Sequence, residues 1–272
     1  MSPVTHDQLW VQALQEAYPQ RITQTQRKNG DWALELDGAW YYWAEGRLLP
    51  EALLGEAKKY SRHAFFDYPD DEPNLQAYTP EELAETEARI VKRNTTDTPR
   101  HPGFYDALWQ IHNAQTAQEK NKTTFFLGLK LLIHRELLED LARVEESIVE
   151  LSRSQRDVRT WIQSLARSDG FNWRPIIGTA NRSLHSYGIA LDVVPKTYGG
   201  KLGYWRWGLK SKGPWLLDAW KNRWQVPKSV VQAFEAEGFI WGGKWMQFDT
   251  IHFEYRPELL IKKTLTSRYQ LK

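Results

Sequence analysis

Ser183-Leu184-His185-Ser186-Tyr187-Gly188-Ile189-Ala190-Leu191-Asp192 runs from a tight loop into an apolar strand and carries two groups able to bind a cation. Read as a strand, Ile189–Val194 puts Ile189, Leu191 and Val193 on one face and Ala190, Asp192 and Val194 on the other. Asp192 is then a carboxylate inside an apolar strand, where an unpaired charge is costly and calls for a cation or strong donors. His185 lies before Gly188, whose missing side chain lets the loop turn tightly. A loop imidazole and a strand carboxylate can thus point at one spot.

A second stretch, Asp249-Thr250-Ile251-His252-Phe253-Glu254, offers the complement. Strand parity puts His252 and Glu254 on one face and Asp249 on the other. If Asp249 instead lies in a turn before the strand, an offset of three brings it back beside His252. Parity alone leaves both arrangements open. Catalytic zinc uses three nitrogen or oxygen ligands and an open position, and His185, Asp192 and His252 fit that count. A further carboxylate would move the proton of the attacking water. Either histidine alone would read as a satisfied structural group.

The bulk numbers fit this reading without requiring it. The 272 residues can bury a sizeable core in one large unit or two. With 41 % apolar and 26 % charged residues, the composition is ordinary for a globular chain. A net charge of +2 gives no support for a nucleic-acid partner, which calls for a basic domain or stripe. There are no cysteines, so disulfides and thiolate sites are excluded and a metal must use His, Asp or Glu. Fourteen Trp and twelve Tyr form a heavy aromatic load, suited to a ring-filled core or to a cleft that stacks on flat groups. No apolar run is long enough for a transmembrane segment. The opening Met1-Ser2-Pro3-Val4-Thr5-His6-Asp7 lacks the basic and apolar regions of an export signal, so no signal peptide is expected.

Along the chain, Asp7–Tyr18 reads as an amphipathic helix. The turn signals Asn29-Gly30 and Asp37-Gly38 predict a three-strand meander over Arg21–Lys28, Asp31–Leu36 and Ala39–Ala44. Glu51–Tyr60 reads as helical and Phe65–Thr79 as a loop. Thr79 as cap and Pro80 at the first position open a charged helix to Lys92. The polar break Asn94–Gly103 is the best candidate boundary. From Tyr105 to Ala166 the pattern reads as helical. Phe126, Leu129, Leu132, Ile133, Leu137, Leu138 and Leu141 continue in threes and fours, as one helix or two. Beyond Ser168-Asp169-Gly170, strands are expected at Ile176–Gly178, Ile189–Val194 and Gln247–Tyr255. Helices are expected at Trp215–Arg223 and at Pro227–Glu237, the latter stopped by Gly238. The expected organisation is α+β: an N-terminal α/β-meander region over 1–103, a helical region over 104–168 and the site-bearing region over 169–272.

Ser183-x-His185-x-x-Gly188-x-Ala190-x-Asp192, then Trp241-Gly242-Gly243-x-Trp245 and Asp249-x-x-His252-Phe253-Glu254, closely resembles the M15 peptidases. That family includes VanY- and VanX-like D-alanyl-D-alanine peptidases and endolysins that cut L-alanyl-D-glutamate bonds. The resemblance spans about Gly170 to Glu254. It implies a small antiparallel-sheet zinc domain, with His185, Asp192 and His252 as metal ligands. It also implies Asp249 as the general base, a choice that parity did not make. Glu254 would then hold a histidine's second nitrogen. Ser183 matches a position that contacts substrate or orients the loop. An arginine for the oxyanion or a substrate carboxylate falls to Arg174, with Arg182 as the other candidate. The resemblance implies peptidoglycan stem peptides as substrate and a periplasmic or cell-envelope location. The activities it allows are a D-alanyl-D-alanine carboxypeptidase, an L-alanyl-D-glutamate endopeptidase or a non-catalytic wall-binding protein that kept its zinc. The last predicts a damaged base or ligand, and all these positions are intact. The region before residue 165 has no counterpart in the minimal family domain and is expected to pack on it and shape the cleft.

Overall fold

A computed structural model describes residues 4–93, 98–210 and 215–269. Helix α1 (His6–Ala17) opens the chain, with Thr5 as N-cap accepting from Gln8 N. Strands β1 (Ile22–Lys28), β2 (Asp31–Leu36), β3 (Ala39–Tyr42) and β4 (Leu49–Pro50) follow as an antiparallel meander. Its first two turns are Asn29-Gly30 and Asp37-Gly38, all four residues at positive φ as type I′ turns require. The expected meander therefore forms, with one further short strand. Glu51–Lys59 is a 3-10 helix. Helix α2 (Pro80–Arg93) begins at the expected proline. The candidate boundary over 94–103 falls partly outside the described residues.

The stretch expected to be wholly helical is not. Helices α3 (Gly103–Trp109) and α4 (Ala114–Lys120) are followed by a hairpin, β5 (Asn121–Phe126) and β6 (Leu129–His134). Leu127 and Gly128 turn it, both at positive φ. Thr123-Thr124-Phe125-Phe126 and Leu131-Leu132-Ile133 are rich in β-branched and aromatic residues, and that preference prevails over the helical spacing. Helices α5 (Leu138–Ser154) and α6 (Arg156–Ser164) then form, broken at Gln155.

The remaining elements are β7 (Leu165–Asp169), β8 (Ala190–Pro195), α7 (Leu216–Lys221), α8 (Lys228–Ala236), β9 (Phe239–Trp241), β10 (His252–Tyr255) and α9 (Pro257–Arg268). The strands make an antiparallel sheet in the order β7-β8-β10-β9. Two strand expectations fail here. Residues 176–178 form a loop, with a lone bridge from Pro175 to Arg182. The last strand starts at His252 rather than Gln247, because Asp249–Ile251 is a turn. The architecture is α+β with small antiparallel sheets.

One apolar core joins all three regions. Trp10, Leu34, Phe104, Phe126, Ile133, Val144, Leu191, Phe234 and Phe253 belong to a single buried cluster. Phe234 of α8 stacks on Phe253 of β10 with ring centroids 3.8 Å apart. Burying each such ring is worth about 1.5–3 kcal/mol, so the apolar back of β10 holds its polar face in place. Helix α9 packs on α1 through Leu265 against Leu9 and Ala13. The first and last helices of the described residues therefore pack on each other. Among the described residues, no helix is long and apolar enough to cross a membrane.

Candidate metal centre

The register of β8 and β10 sets His252 directly opposite Asp192. Residues opposite each other on antiparallel strands project to the same face. His252 Nδ1 accordingly lies 2.9 Å from Asp192 Oδ1. His185 arrives from a 3-10 turn, Leu184–Tyr187, whose N-cap Ser183 accepts the His185 amide at 3.3 Å. Gly188 ends the turn at φ 69°. A Cβ there would meet Asn121 Oδ1 at 1.6 Å, so β5 and β6 press directly on the loop, and His134 N donates to Gly188 O at 2.8 Å. The missed hairpin is thus the wall behind His185. His185 Nε2 lies 3.4 Å from Asp192 Oδ1 and 3.3 Å from His252 Nδ1.

The outer nitrogens decide the tautomers. His185 Nδ1 donates to Gly170 O at 2.7 Å, leaving Nε2 as a lone pair that faces inward. His252 Nε2 faces Glu254 Oε2 at 3.1 Å, leaving Nδ1 inward. With His252 neutral and protonated at Nε2, two lone pairs and a carboxylate oxygen converge, an arrangement balanced by a positive charge between them, either a metal ion or a further proton on His252. Ligands of a tetrahedral zinc at about 2.0–2.2 Å lie roughly 3.3–3.6 Å apart, which the three separations approach. His185, Asp192 and His252 form a group that can hold a metal ion.

The titration behaviour agrees. Burial works against a charge on His252, but hydrogen bonds to Asp192 and Glu254 prevail and hold the ring well above its ordinary range. Burial likewise opposes ionisation of Asp192, yet its bonds to both histidines keep its carboxyl well below the usual range. Without a metal, the centre keeps a proton where a cation would sit.

Asp249 lies beside these groups because the chain leaves strand geometry. Its amide donates to Gly242 O at 3.0 Å, Thr250 N donates to Gly203 O at 2.8 Å, and Trp241 Nε1 donates to Thr250 O at 2.8 Å. A Cβ on Gly242 would stand 2.6 Å from Asp249 O, so the first glycine of Trp241-Gly242-Gly243 is what admits the turn. The offset of three that parity left open is the one adopted. Asp249 Oδ1 is buried with no hydrogen-bond partner among the described residues. Burial pushes its carboxyl up to about 7, with the negative charge of Asp192 adding to the shift.

His185, Asp192, Asp249 and His252 line one cavity of about 490 Å³. Arg174, Arg182, Ser183 and Glu254 line it too. Arg182 is bound to Asp106, donates to Tyr187 Oη at 3.1 Å and stacks over Trp173 at 4.5 Å. Arg174 reaches only the neighbouring Pro175 O, at 3.3 Å, among the bonds found for its guanidinium. Ser183 Oγ serves the turn that carries His185. Sequence reasoning missed His63, Arg100, Tyr105 and Arg256 in the same wall. No local motif marks the first three, and only the fold brings them to the cleft. His63 is buried, with burial pushing its imidazole down to about 3.

Residues 177–255 match a family described as D-alanyl-D-alanine carboxypeptidase, within the M15 peptidases. Residues 10–65 match a family described as a domain of unknown function. No solved structure matches the chain. Over residues 177–255, which hold the whole His185, Asp192 and His252 group, the chain is similar to the M15 peptidases, a family of zinc enzymes.

Proposed function

We propose that the chain is a zinc-dependent peptidase acting on peptidoglycan stem peptides, as a D-alanyl-D-alanine carboxypeptidase of the cell envelope. The observation that carries this reading is the buried, unpartnered Asp249 Oδ1 beside three converging ligand atoms. His185, Asp192 and His252 hold the zinc, and Gly170 O and Glu254 fix the two rings in the tautomers that ligation requires. When bound, zinc polarises the scissile carbonyl and lowers the pKa of the attacking water. Asp249 takes the proton of that water at Oδ1 and passes it to the leaving amine. In the metal-free protein burial raises its pKa, and the positive charge of a bound zinc would bring it back down, so that the carboxylate is ionised and able to accept a proton. Arg174 binds the substrate's free carboxylate or the developing oxyanion. Arg182 and Ser183 shape the substrate side of the loop.

One observation favours a second reading, an endopeptidase that cuts L-alanyl-D-glutamate bonds. The cavity is also lined by His63, Arg100 and Tyr105, which come from outside residues 177–255 and offer further groups to a longer peptide. Mass spectrometry of muropeptides after digestion tests both. Loss of terminal D-alanine supports the carboxypeptidase, and release of the stem from L-alanine supports the endopeptidase. No cleavage by the zinc-loaded chain refutes both.

A further inference from the structure

Glu254 does not hold His252 unaided. Its second oxygen, Oε1, accepts from Arg256 Nη1 at 3.3 Å. The same guanidinium binds Glu258 Oε1 through Nε and donates to Ala64 O through Nη2 at 3.0 Å. Glu258 Oε2 in turn accepts from Tyr18 Oη at 2.8 Å. Arg256 is 2 % exposed and Glu258 0 %. A continuous hydrogen-bonded chain therefore runs from Tyr18, which caps the C-terminus of α1, to the outer Nε2 of His252.

We infer that Arg256 is a positioning residue for the metal centre, and that Glu258, Tyr18 and the Ala64 carbonyl hold it in place. The inference rests on the proposed metal site. A buried ion group is a weak device for stability alone, because well-packed apolar residues often do as well. What the ionic chain adds is direction. The planar guanidinium presents its donors in a fixed fork, so one carboxylate oxygen of Glu254 is locked and the other must face His252 Nε2. That fixes the proton on Nε2 and leaves Nδ1 bare for a cation. Tyr18 and Ala64 come from the N-terminal region, and Tyr18 falls within the stretch that matches the domain of unknown function. That region thereby acquires a role beyond packing.

The test uses the full chain, stripped of metal and titrated with Zn2+ against a chromophoric chelator under conditions where urea unfolding shows each variant to be folded. Glu258→Gln and Arg256→Lys weaken zinc binding about 10–100-fold, the usual cost of losing an outer partner of a ligand. Tyr18→Phe, which removes a single hydroxyl, weakens it by less but in the same direction. Nitrogen-detected NMR of the His252 ring reads the second consequence, a fall in the share protonated at Nε2. Unchanged zinc affinity in folded Glu258→Gln and Tyr18→Phe, with lowered stability only, overturns the inference. Failure of the parent chain to bind zinc would instead overturn the metal site itself. If Glu258→Gln or Arg256→Lys does not fold, Tyr18→Phe decides.

Discussion

His185 Nε2 and His252 Nδ1 face each other across 3.3 Å, while each ring commits its opposite nitrogen to a protein oxygen. Without a metal a proton on His252 separates the two nitrogens, and a zinc ion can take its place. The parent chain should therefore carry about one equivalent of zinc after dialysis. His185→Ala and His252→Ala should each lose it, as read by elemental analysis, and a strong chelator should abolish activity. Full zinc content in either variant refutes the ligand assignment.

Asp249→Asn keeps the volume of the side chain and removes its basicity. We expect turnover to fall by about 10²–10⁴-fold with zinc content unchanged. Undiminished turnover would transfer the proton role to another group.

In the metal-free chain, burial raises the Asp249 carboxyl from 3.8 to about 7. A group whose folded pKa is raised favours folding when protonated. Its contribution is complete below its ordinary pKa and is lost as pH climbs through about 7. Metal-free Asp249→Asn should thus be more stable than the parent at pH near 8, and this advantage should vanish towards pH 4. Urea unfolding at both pH values measures it. Zinc, by its positive charge, should lower the Asp249 pKa and shrink the difference.

The two cleft arginines should separate cleanly. Arg174→Ala should raise KM or lower kcat with little change in Tm, since its guanidinium makes no ion pair among those found. Arg182→Ala should lower stability by about 1–3 kcal/mol, because it strips Asp106 of its charged partner. Thermal melts and steady-state kinetics on one substrate distinguish them.

Gly188→Ala should cost about 1–3 kcal/mol or more, since it strains a positive φ and drives a methyl into Asn121. Zinc affinity should fall with it. Asn121→Ala in the same chain should recover part of the loss, and denaturant melts of the double variant would show the coupling.

The three candidate ligands were legible only in part, since spacing left a structural reading as open as a metal site until the resemblance to the M15 peptidases joined the two stretches. A carboxylate inside an apolar strand needs a cation, and a glycine after a loop histidine implies a tight return. The position of Asp249 was not, because parity assumes an unbroken strand. Here Gly203 and the adjacent pair Trp241-Gly242 bend residues 249–251 off the sheet from two other places in the chain. The hairpin over 121–134 was hidden for another reason. Phe126, Leu129, Leu132 and Ile133 fit helical spacing as well as they fit two alternating strands, and only the Leu127-Gly128 turn separates the readings. Arg256 reads on its own as the first basic residue of a basic tail. Its partners Tyr18 and Ala64 come from the other end of the chain, and folding alone brings them together.

Gly170 O, which anchors the outer side of His185, and Arg256, which holds Glu254 behind His252, both lie outside residues 177–255. The stretch recognisable by descent is therefore smaller than the unit that can work. A chain trimmed to that stretch would keep every ligand and lose the supports that aim them. Grafting the candidate metal centre onto another protein would mean moving Gly170, Arg256 and the amino-terminal residues that hold Arg256 along with it.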